Sequence, residues 1–94
     1  MFTIDELRQI SNRHFQVLNS SAYCVTVRSF LTGHDWHIIV QEYDRHRTFQ
    51  IYHRHNPTDA FHVHGHKGSF KSALRDIRDH DKFQMNGRKR GSAR

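Results

Sequence analysis

Ten histidines stand among 94 residues, and five of them fall in two alternating runs, His53-Arg54-His55 and His62-Val63-His64-Gly65-His66. In an extended chain, side chains two apart share a side, so the spacing sends His62 and His64, with His66 following, from one face of one strand. Imidazoles held that way can chelate a transition metal, move protons, or form a surface whose charge rises as the pH falls. A metal at His62 and His64 would draw a third ligand from His37, Asp35, His53 or His55. No carboxylate neighbours the pair in sequence to orient the rings, and histidines are scattered through the whole chain. No metal ligand and no cofactor are therefore assigned.

Other catalytic patterns are thin. Cys24 is the lone cysteine, which excludes an internal disulfide and any CxxC metal motif. It falls in a strand-like stretch and reads as an ordinary small side chain. Gly65-His66-Lys67-Gly68 is too short for a phosphate-binding loop, and no carboxylate pair has acid–base spacing. A metal-free ribonuclease would need only a base, an acid and a cation, which His37, His62, His64 and Arg54 could supply. No residue is assigned as catalytic.

Charge is the second unusual feature. The formal net charge is +6 with histidines neutral, and it is lopsided: residues 1–43 sum to −1, residues 44–94 to +7. Lys71, Arg75, Arg78 and Lys82 recur at i, i+4, i+7 and i+11, which places them within about 60° of one another on a helix. Like charges along one edge repel unless something negative meets them. Lys67 extends the stripe at one end and Arg88, Lys89 and Arg90 at the other. Tyr52, Arg54, His62 and His64 are expected on an open sheet face, where rings stack bases and cations hold phosphates. The partner expected is thus nucleic acid, RNA or DNA. The alternative is an acidic surface on a larger protein, with Ile39 and Phe30 as exposed anchors.

These residues need elements to position them. Thr3 and Glu6 fit a capping box, and Ile4, Leu7, Ile10, Phe15 and Leu18 recur at helical spacing, predicting a helix over 4–18. Alternating β-branched and aromatic residues predict strands over 22–31, 36–43, 48–54 and 61–64, separated by turn-forming clusters. Ser69 caps a second amphipathic helix over 70–81. The fold expected is α+β with order α-β-β-β-β-α: a four-stranded antiparallel meander with both helices packed on one face. Its core face would carry Tyr23, Val25, Val27, Trp36, Ile38, Val40, Phe49, Ile51, Phe61 and Val63. Residues 1–84 form one compact domain, and 85–94 read as a basic, disordered tail. The N-terminus lacks the basic start and apolar run of a signal peptide, and no stretch approaches membrane-spanning length, so a cytoplasmic monomer or homodimer is expected.

No family is recognised across the chain. The order of elements nevertheless resembles the double-stranded-RNA-binding type of fold, in which basic residues opening the second helix hold phosphates. Lys67, Lys71 and Arg75 stand in the comparable place. That family's alanine-rich second helix is missing, and one strand is extra. Val63-His64-Gly65-His66 through Ile77 is also similar to the end of small mRNA-cleaving toxins of that fold, without their glycine-serine-histidine motif.

Overall fold

The computed structural model describes the backbone of residues 1–93 and the side chains of residues 1–86. The order is α1 (Ile4–Arg8), β1 (Phe15–Ser20), β2 (Cys24–Ser29), β3 (Asp35–Tyr43), β4 (His46–Arg54), β5 (His62–Lys67) and α2 (Phe70–Ala93). All five strands join one antiparallel meander in the order β1-β2-β3-β4-β5. The α+β class and the meander are as expected, with one strand more than the sequence pattern indicates.

The extra strand comes at the expense of the first helix. The capping box forms: the Glu6 amide donates to Thr3 Oγ1, and the Thr3 amide donates to Glu6 Oε1. The helix then lasts five residues instead of running to Leu18. Ser11 and Asn12 favour turns because their side chains compete for nearby backbone groups. Ser11 Oγ accepts from the Arg13 amide, and the Ser11 carbonyl accepts from the Phe15 amide. Beyond that turn, Phe15 and Val17 pair with β2, opposite Ser29 and Val27. Phe15 buries its ring in the core. A single set of apolar positions served both periodicities, and sheet pairing decided between them.

Helix α2 starts where expected, with Ser69 Oγ accepting from the Ser72 amide. It continues through the stretch expected as a tail, most of whose residues are fair helix formers. Arg88, Lys89 and Arg90 lie outside the described side chains.

One face of the sheet carries Val25, Val27, Trp36, Ile38, Val40, Phe49 and Ile51 against Phe70, Ala73, Leu74 and Ile77 of α2. Phe2 and Phe15 complete this core, with Leu7 of α1, and Ile10 just beyond that helix, packed on it, so both helical elements share a face. Three residues expected in the core are elsewhere. Tyr23 precedes β2 and is exposed, and Val63 is 69% exposed. Phe61 lies on the uncovered face, stacked on His37 at 3.8 Å between centroids. Strand β5 explains the last two. Its register slips at His64, so Gly65 faces Ile51 while Val63 faces Tyr52.

Two local devices fix the meander. Asp44 and Arg45 form a two-residue hairpin turn with φ of 46° and 67°, the left-handed geometry that suits strand twist. Arg47 ties the first helix to the sheet, donating to Glu6 Oε2 at 2.7 Å and to the Met1 carbonyl at 2.8 Å. The Arg47 hydrogen bonds lower the Glu6 carboxyl below its ordinary range, against the effect of its burial.

Candidate functional site

The basic stripe of α2 is real and borders a groove. Lys71, Arg75, Arg78 and Lys82 line a cleft of about 700 Å³. Its other wall is Gln9 and Ser11 from the link between α1 and β1, with Phe15 and Leu74 also lining it and Asp79 as the sole acid. Among the described residues none of the four cations closes an ion pair. Arg78 and Lys82 also border a second hollow, of about 400 Å³, lined by Arg13, His14, Phe30, Leu31 and Asp81. The Phe30 ring is 59% exposed. One trench thus offers a line of cations leading to an unpacked aromatic ring. Arg13 and His14 were not apparent in the sequence, because a helix continuing to Leu18 would have left them off this surface.

The sheet's uncovered face is a separate surface. Arg54 is committed there: its Nε donates to Asp35 Oδ2 at 2.9 Å, and its guanidinium lies 4.4 Å over the Phe61 ring. Arg28 donates to the same buried carboxylate at 2.7 Å. Burial acts to raise the Asp35 carboxyl, but the two guanidiniums outweigh it and the net displacement is downward. Tyr52 is half-buried on this face, opposite His37 and Val63. Tyr52 and Arg54 therefore do not join the trench along α2. Ile39 on this face is also only half-exposed.

His62 and His64 do share a face, but it is the one α2 covers. His62 pairs with His53, and His64 Nε2 lies 3.0 Å from Asp76 Oδ2 of α2. A carboxylate thus does orient one ring of the pair, supplied from twelve residues downstream. The slip in β5 sends His66 to the opposite face, where it pairs with Gln50. The cluster around His62 and His64 is larger than the sequence shows. His53 stacks on Trp36 at 4.0 Å. Rings of His34, His55, His62, His64 and His80 lie 4.8–6.2 Å from it by centroid. His34 comes from the β2–β3 turn and His80 from α2, so only the fold assembles the six.

Burial, reinforced by these neighbours, pushes His53 down to about 3. Burial and the nearby His64 lower His80 too. Asp81 on α2 accepts from the Thr32 hydroxyl at 3.2 Å, and Thr32 Oγ1 accepts from the His34 amide. The helix thereby anchors the turn that carries His34. Burial raises the Asp81 carboxyl.

Cys24 and His37 do not make a nucleophile. Burial raises the thiol and lowers His37, whose Nδ1 is 2.5 Å from Thr26 Oγ1. A thiol raised this way stays protonated and unreactive.

No protein family, no curated protein and no solved structure matches the chain. Among the described residues no helix is long and apolar enough to cross a membrane.

Proposed function

We propose that this chain binds single-stranded nucleic acid along helix α2, with phosphates on Lys71, Arg75, Arg78, Lys82 and Arg13 and a base stacked on Phe30. One observation carries the reading: four cations on one helix edge all line a single cleft, and among the described residues none of them closes an ion pair. A solvated helix face usually mixes signs, and this edge holds its self-repulsion until an anion enters. The exposed Phe30 ring separates a nucleic acid from other polyanions, since every base has a face to stack. The lone free thiol, Cys24, suits a reducing cytoplasm.

The test is a fluorescence-polarisation titration with labelled single-stranded RNA and DNA. Five phosphate contacts give a slope of about −3.5 in log affinity against log salt, roughly a 130-fold loss between about 50 and 200 mM. Arg75→Glu with Arg78→Glu removes most of the slope. Binding with no salt dependence, or equal binding of polyglutamate, overturns the reading, the latter in favour of an acidic protein partner.

A further inference from the structure

Three of the six clustered histidines meet more closely than the rest. One ring nitrogen from each of His34, His53 and His55 lies within 4.8 Å of the other two. His34 Nδ1 and His53 Nε2 are 3.0 Å apart. Two ring nitrogens so placed require a bare lone pair on at least one of them. In a tetrahedral zinc site with Zn–N of about 2.0–2.1 Å, ligand nitrogens stand about 3.3 Å from one another. The buried pair is already close to that spacing, and His55, which is exposed, closes the set with a swing of at most about 1.5 Å.

The scaffold holds the two buried rings, His34 and His53, firmly. Trp36 fixes the plane of His53 by stacking, 20° from parallel. The His34 carbonyl accepts from the Ser29 amide, and its own amide is held by Thr32. His55 lies parallel to His34, at 4.3 Å and 11°. If these imidazoles only filled space, phenyl rings would do so without the cost of burying polar nitrogens. The same cluster leaves one such nitrogen, His80 Nδ1, buried without a partner. Three imidazoles with no carboxylate among them suit zinc, cobalt, nickel or copper and do not suit magnesium or calcium.

We propose that His34, His53 and His55 bind one zinc-class divalent ion, with a fourth position opening outward on the exposed side of His55. Three protein ligands and one open position distinguish a reactive ion from a structural one. None of the three histidines lines the groove along α2.

The test titrates the full chain, free of any histidine tag, with Co2+ and then Zn2+, followed by absorption and calorimetry. One Co2+ per chain is expected, with the intense visible bands of four-coordinate cobalt, which Zn2+ then bleaches. His55→Ala, at an exposed position, keeps the fold and lowers affinity at least about tenfold. His53→Phe, which preserves the stacked ring, does the same, while His66→Ala on the opposite face changes nothing. The proposal falls if no ion binds, or if cobalt shows only weak six-coordinate bands. It falls equally if His55→Ala binds like the parent while a His62→Ala/His64→Ala variant loses the ion.

Discussion

Trp36 and His53 stack at the foot of the sheet, ring centroids 4.0 Å apart and planes 20° from parallel. Both are almost fully buried, so the His53 ring is packed as tightly as a core aromatic. His53→Ala removes a packed ring and is expected to cost about 3 kcal/mol, in the range for deleting buried aromatics. His53→Phe keeps the stack and costs less than half of that. Urea unfolding of the two variants beside the parent measures both.

Acid should unfold this protein earlier than its carboxylates alone would dictate. His53 is neutral in the folded chain down to about 3, whereas in the unfolded chain it takes a proton near 6.5. Its contribution is therefore fully present above about 6.5 and lost as the pH falls from there toward 3, at about 1.4 kcal/mol per pH unit. His37 and His80 are shifted in the same direction. The rings facing His53 are His34, His55, His62, His64 and His80, and the carboxylates Asp76 and Asp81 of α2 act on His80 against its downward shift. Asp81 opposes the trend: its raised carboxyl contributes stability that is present below its ordinary value and lost as the pH rises through the raised one. Unfolding midpoints at pH 7, 6 and 5 are expected to fall steadily, and more shallowly in His53→Phe.

The strands of the meander were legible, because alternating apolar residues and polar turns mark β2 to β5 to within about two residues at most ends. The end of the first helix was not legible because Phe15 and Leu18 satisfy a helical repeat, and only the Ser11-Asn12 pair marks a break. The faces of β5 were not legible, since a one-residue slip leaves no mark in a run as polar as His-Val-His-Gly-His. The cationic stripe of α2 was visible because helical spacing is local. The wider histidine cluster was not, because His34 and His80 are brought to His53 by the β2–β3 turn and by α2, and nothing in their spacing announces it.

Asp81→Asn is expected to leave stability at pH 7 unchanged or raise it by about 1 kcal/mol, since the amide keeps an acceptor for the Thr32 hydroxyl and removes a charge that burial disfavours. Asp81→Ala loses the anchor of the His34 turn and is destabilising. Thermal melts of both variants separate the charge from the hydrogen bond.

Arg45→Gly should stabilise the chain. Arg45 sits at φ 67° in the hairpin between β3 and β4, where a side chain costs roughly 1 kcal/mol and Asp-Gly is a preferred pair. A gain of about 0.5–1 kcal/mol, offset in part by glycine's entropy in the unfolded chain, is expected from urea unfolding.

Phe30→Ala should weaken single-stranded RNA binding by about 1–3 kcal/mol, the value of one stacked base, while leaving the salt slope unchanged. Tyr52→Ala, on the face away from α2, should leave binding as it is. Polarisation titrations of the two variants distinguish the surfaces.

The outermost strands, β1 and β5, each break register once, between Val17 and Asn19 and again at His64. A strand at the rim of a sheet is a template for any chain with unsatisfied amides, and Val17 and Leu18 would make this rim a sticky one. The interruptions twist both rims and spoil the straight ladder that a newcomer must match. A polypeptide with so modest a core is thereby guarded at both margins against growing into a fibril by edge-to-edge addition.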